Sequence, residues 1–134
     1  MAVSLNHTII HSLDRRESAE FLAHILDLEV GAPWGPFIPV GTANGVTLDF
    51  ATVPASAITV QHYAFLVSED EFDAAFRRIG RAGIGFYADP HMRLPGEINH
   101  HHGGRGVYFR DPAGHGMEII TQPYDNHVGG SGEE

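Results

Sequence analysis

Four polar side chains stand inside runs that otherwise read as apolar strand. His7 lies in "LNHTII", His62 in "VQHYAFLV", Asp49 in "TLDFAT" and Glu118 in "GMEIIT". A carboxylate or imidazole withdrawn from water among such neighbours costs on the order of several kcal/mol unless it is hydrogen-bonded, paired or bound to a cation. Either each group is satisfied locally, or they point together at something that satisfies them all. Two imidazoles and one carboxylate suit Mn²⁺, Fe²⁺, Co²⁺, Ni²⁺ or Zn²⁺ and leave coordination positions open. Ca²⁺ fits less well, because it prefers oxygen ligands throughout. An ion held this way is a Lewis acid that polarises a bound oxygen and stabilises an enolate or alkoxide. The chain carries ten histidines against eight lysines and arginines, which directs attention to metal ligation.

The elements that must position these groups recur. "VSLNHTIIHS" (3–12) is rich in β-formers and reads as a strand. Asp14 precedes Glu17 by three, a capping-box spacing that opens a helix whose apolar stripe is Phe21, Leu22, Ile25 and Leu26. Strands are expected around 28–30, at 37–40 and, after the hairpin signal Asn44–Gly45, at 46–53. The same order then returns. A strand at 58–67 is followed by Ser68 and Glu71 as a second capping box, and by the stripe Phe72, Ala75, Phe76 and Ile79. Gly83 reads as a helix-ending glycine, and strands are expected at 84–89, around 104–109 and at 116–121. The chain thus reads strand–helix–three strands, twice, in modules of about 3–53 and 58–122, with a tail at 125–134. The fold class is α+β: two paired βαβββ modules within a single domain of residues 1–124. Each histidine falls in the first strand of its repeat and each acid in the last, so the four groups are read as one site.

The motifs "LNHTII", "SLDRRESAEFLAHILDLEV", "VQHYAFLV" and above all "GVYFRDPAGHGMEI" resemble the vicinal oxygen chelate superfamily, the glyoxalase/bleomycin-resistance/dioxygenase family. The likeness runs over about residues 4 to 122. It implies curved mixed sheets around a metal-site cleft, with the first and last strands of each module adjacent. Strands so placed lie about 5 Å apart, which lets His62 and Glu118 reach one ion together. By this resemblance His7, His62 and Glu118 map onto the family's metal positions, with His11 competing for the place of His7. Asp49 stands where other members carry a longer side chain, so it is read as a further ligand, an acid behind the ligands, or a general base. Tyr108, ten residues before Glu118, matches a tyrosine that thiol-transferase relatives keep near a bound oxyanion. Asp49 and Tyr108 are therefore the candidate catalytic groups. The family also implies a homodimer whose site draws its first histidine from the partner.

The stretch "ADPHMRLPGEINHHHGGRG" (88–106) has no counterpart in the first repeat. Insertions of this kind often cap active sites, and residues 91–105 are expected to form a lid or rim. Arg93, His102 and Arg105, with Tyr63 on the preceding strand, are the candidate contacts to an anionic or carbonyl substrate. His115, in the Gly-His turn, is expected to serve the turn by hydrogen bonding. Two functions follow. One is a metal-dependent enzyme working by isomerase, lyase, group-transfer or dioxygenase chemistry on a small oxygen-rich molecule. The other is a bleomycin-resistance-type protein that binds and sequesters a small molecule, for which Trp34, Phe37, Phe86 and Tyr87 offer aromatic walls.

Composition narrows the rest. The chain has 134 residues, 43% of them hydrophobic, enough for one compact domain with a core of its own. It has no cysteine, which excludes disulfides and thiolate metal sites. A net charge of −9 argues against nucleic acid as a partner. No apolar run reaches the roughly 20 residues of a membrane span, and no secretion signal is seen, so a cytoplasmic location is expected.

Overall fold

A computed structural model describes residues 2–124; the expected tail at 125–134 lies outside them. The chain is α+β, with two α-helices and two mixed sheets of three and four strands. It divides into two compact units. The first comprises the described residues up to Gln61 together with Arg110–His115, and the second comprises His62–Phe109 and the described residues from Gly116 to Tyr124. The units follow the two repeats, except that the turn 110–115 belongs with the first.

In the first unit, β1 (His7–Ser12) leads into α1 (Arg15–Leu26), then β2 (Phe37–Gly41) and β3 (Thr47–Thr52). The helix starts where Asp14 can cap it, its carboxylate accepting from the Arg16 and Glu17 N–H groups. A cap of this kind is worth about 1 kcal/mol. Ala19, Leu22, Ala23 and Ile25 are buried on its inner face, while Phe21 and Leu26 are half-buried at its margins. Fully burying a leucine or isoleucine contributes about 1.5–3 kcal/mol, so this stripe and its partners Ile10, Ile38, Val40 and Phe50 form the core of the unit. The sheet order is β1-β3-β2, with β1 parallel to β3 and β2 antiparallel to it. The strand expected near 28–30 is reduced to one bridge, Val30 to Val40. The Gly-Ala-Pro that follows Val30 cannot extend the pairing.

In the second unit, β4 (His62–Leu66) leads into α2 (Glu69–Arg81), then β5 (Phe86–Tyr87), β6 (Gly106–Arg110) and β7 (Gly116–Ile120). Ser68 and Glu71 make a reciprocal capping box, and Gly83 takes a φ of +68 just beyond the helix, as its spacing predicts. The sheet order is β4-β7-β6-β5, with β4 parallel to β7. In both units the first and last strands are therefore adjacent. The strand expected at 84–89 shrinks to two residues, because the Asp89 carboxylate takes the N–H groups of His91, Arg93 and Leu94 and turns the chain away. Residues 91–105 form no strand; they hold a single 3₁₀ turn, His101–Gly103, and two isolated bridges, Pro95 to Tyr87 and Asn99 to Gly106. Among the described residues no helix is long and apolar enough to cross a membrane.

Candidate metal centre

Parallel pairing puts registered residues on the same face, and alternate residues along a strand share that face. On β4 and β7, His62 registers with Gly116, and Glu118 stands two residues further along. That diagonal brings His62 Nε2 to 2.8 Å from Glu118 Oε1. Glu118 is 1% exposed, whereas the His62 side chain is 48% exposed, so the pair presents an imidazole edge in front of a buried carboxylate. The other oxygen of Glu118, Oε2, accepts a hydrogen bond from the Tyr124 hydroxyl. Tyr124 in turn lies 3.1 Å, oxygen to oxygen, from the buried Tyr108 hydroxyl. The His102 ring stacks on that of Tyr124, centroids 4.4 Å apart. The Tyr108 ring also faces the His62 ring at 5.7 Å. Burial foremost, then the bond to Tyr124 and the Glu118 charge, pushes the Tyr108 phenol well above its usual range. Burial and the bond to Glu118 raise Tyr124 as well. Both hydroxyls thus hold their protons throughout the physiological range.

The first unit repeats this register. His7 pairs with Thr47, and Asp49 stands two residues further along on the same face. Here the acid, one methylene shorter, makes no hydrogen bond to its histidine. His7 Nδ1 is 2.8 Å from Asn6 Oδ1, and Asp49 is 3% exposed with Oδ1 lacking any hydrogen-bond partner. A buried carboxylate oxygen left unpaired is costly, and a cation or a donor from outside the chain would relieve it. His11 lies exposed on the same face as His7.

The remaining candidates separate. Arg105, expected at the substrate, is instead engaged by α2. Its guanidinium bonds Glu69 and Asp73 and lies 4.4 Å over the Phe72 ring, with Asp73 foremost in raising its pKa. Arg93 is exposed, and its backbone N–H caps onto Asp89. Tyr63 is half-buried on β4, registered with Met117. His115 serves its turn more widely than its position suggested. Its Nδ1 accepts from the Gln61 N–H at 3.0 Å and its Nε2 donates to the His11 carbonyl at 2.8 Å, which fixes the Nε2–H tautomer. Sequence reasoning missed Tyr124. It lies beyond the last strand, after Pro123, where no periodicity points and only the proximity of an aromatic to the strand end could have drawn notice. Among the described residues no three histidine, aspartate or glutamate side chains are gathered into one metal-binding group.

Two parallel-centred units, each with a histidine on its first strand and an acid two residues past the registered position on its last, define a vicinal oxygen chelate protein. The chain belongs to the Glyoxalase/Bleomycin resistance protein/Dioxygenase superfamily, whose model matches residues 4–119. Its solved relatives include the oxidase ChaP-H2, 60% identical with a TM-score of 0.89 over 92% of this chain and 97% of that one. The oxidase ChaP-H1 is 53% identical, also with a TM-score of 0.89, over 93% of this chain and all of that one. A glutathione transferase FosA from Serratia marcescens is 29% identical over 89% of this chain and 81% of its own length.

Proposed function

We propose that this chain is a divalent-metal-dependent enzyme that oxidises a small, oxygen-rich, anionic molecule. The observation that carries the reading is the 2.8 Å pair of His62 Nε2 and Glu118 Oε1 on one strand face, with the carboxylate buried behind the imidazole. His62 and Glu118 are two ligands of a Mn, Fe, Co, Ni or Zn ion, and His7 of the partner subunit is the third, in a homodimer. Support for the shared site comes from the exposure of His7. Ile9 and Leu66, on the strands that carry the two histidines, are exposed apolar residues of the kind a second copy would cover. The donor set fits such an ion: neutral imidazole nitrogens and one carboxylate oxygen, with substrate filling the open positions. Bound there, the ion supplies Lewis acidity to substrate oxygens and stabilises negative charge that develops on them.

The chain's own residues do the rest. Tyr108, protonated and within reach of the Glu118 network, is placed to hold or deliver a proton, and Asp49 to accept one. Tyr63, Arg93 and His102 are proposed to contact the substrate; Arg105 is not, being held by α2. Oxidation is favoured over the superfamily's other reactions by the 60% and 53% identity to two proteins named as oxidases. Dioxygen would be the electron acceptor.

Metal content and metal titration of the wild type, His62→Ala and Glu118→Ala test this, in a background where His100 and His101 are glutamine so that the histidine run binds nothing. Both single variants should lose the ion. Undiminished binding in Glu118→Ala overturns the assignment. Small-molecule binding that persists without metal in that variant points instead to a sequestering protein.

A further inference from the structure

We infer that Tyr124 is a positioning residue that fixes how Glu118 binds the metal, an inference that rests on the reading of His62 and Glu118 as ligands. A carboxylate on a flexible stem can offer an ion one oxygen or two. In the second unit that choice is already made. Glu118 Oε1 points to His62, and Oε2 receives the Tyr124 hydroxyl. With Oε2 occupied by a donor, Oε1 alone is left for an ion that His62 also binds. Tyr124 also draws charge from the carboxylate and holds its plane, as partners behind a metal ligand do.

The hydroxyls settle their own order. A phenol has one proton. Tyr124 gives its proton to Glu118, so the Tyr108 hydroxyl, 3.1 Å away, must donate to the Tyr124 oxygen. The chain of donors runs Tyr108 to Tyr124 to Glu118, each member oriented by the next. The His102 ring, stacked 4.4 Å from that of Tyr124 at 29°, supports the phenol from a second side and ties the insertion to the site. His102 thus acts on the ligand through Tyr124 as well as lining the site. Thr121, three residues before Tyr124, anchors the segment, accepting from the Arg105 N–H and donating its own N–H to the Arg105 carbonyl.

Tyr124→Phe keeps the ring and its stacking and deletes only the hydroxyl. The test titrates Co²⁺ into wild type, Tyr124→Phe, Tyr108→Phe and Glu118→Gln, all with His100 and His101 as glutamine, recording affinity and the visible Co²⁺ spectrum. Thermal unfolding of the metal-free proteins runs alongside. Tyr124→Phe should bind Co²⁺ about 10- to 100-fold more weakly, because the carboxylate is no longer held in place, and with an altered spectrum, because its binding mode is no longer fixed. Its metal-free unfolding temperature should stay near that of wild type. Tyr108→Phe should change both readouts in the same direction and by less. Wild-type affinity and spectrum in Tyr124→Phe, with binding lost in Glu118→Gln, overturn the role of Tyr124 alone. Retained binding in Glu118→Gln overturns the ligand reading beneath it.

Discussion

The two units place a histidine and an acid at the same register positions and treat them differently. In the second, Glu118 reaches His62 and is bonded through both oxygens; in the first, Asp49 stays buried with one oxygen unpaired while His7 turns to Asn6. One methylene accounts for much of this. Across a diagonal on paired strands a glutamate spans the gap to the imidazole that an aspartate leaves open. A duplicated framework can thus specialise: one unit holds a preassembled pair, while the other, in the proposed site, contributes a lone histidine and an acid for proton transfer.

The sharpest way to break this asymmetry is to remove each acid. Glu118→Ala should weaken metal binding by more than the ~10–100-fold typical of groups that merely orient a ligand. Asp49→Ala should bind metal within about ten-fold of wild type and lose turnover instead. Calorimetric titration beside an activity assay distinguishes the two, and equal metal loss in both variants would put Asp49 among the ligands.

Stability offers a second contrast. His115→Phe keeps a ring in the first unit but strands the Gln61 N–H and the His11 carbonyl, and should cost about 1–3 kcal/mol by urea unfolding. In the second unit, Gly104→Ala would set a Cβ 2.6 Å from Thr121 Oγ1 and 2.7 Å from a Gln122 side-chain carbon. The required shift should lower stability by a comparable ~1–3 kcal/mol. It should also weaken metal binding by displacing the segment that carries Tyr124, an effect His115→Phe should lack.

The smallest effect concerns Asp111 in the turn. Burial raises its carboxyl above the ordinary 3.8 despite the His115 and Ala113 N–H bonds to Oδ1. Between the unfolded and folded values the native chain keeps a proton that the unfolded chain has released, so this group's contribution falls as pH rises through that window. Asp111→Asn, which mimics the protonated form, should match wild type at low pH and gain on it by up to about 1 kcal/mol toward neutrality. Parallel denaturation curves at each pH would reveal that opening difference, and a constant difference would contradict it.

Much of this was legible in the residues. The capping pairs Asp14–Glu17 and Ser68–Glu71 and the helical stripes gave the repeat, and the repeat gave the adjacency of β1 with β3 and of β4 with β7. From that adjacency the meeting of His62 with Glu118 follows. What stayed hidden depends on side chains choosing among local partners. Arg105 serves the acids of α2, a choice that periodicity does not encode. Asp89 captures three N–H groups and cuts β5 short, and Tyr124 folds back onto Glu118 from outside any regular element.

In the proposed centre the His62–Glu118 pair of one subunit and His7 of the partner subunit hold one metal ion. Hybrid dimers of His7→Ala and Glu118→Ala chains, isolated through two different affinity tags, test it in a single metal count. Each parent dimer should bind no metal, and the hybrid should bind one ion, because one of its two sites is intact. A hybrid as empty as its parents, or a Glu118→Ala parent that binds like wild type, would contradict the account.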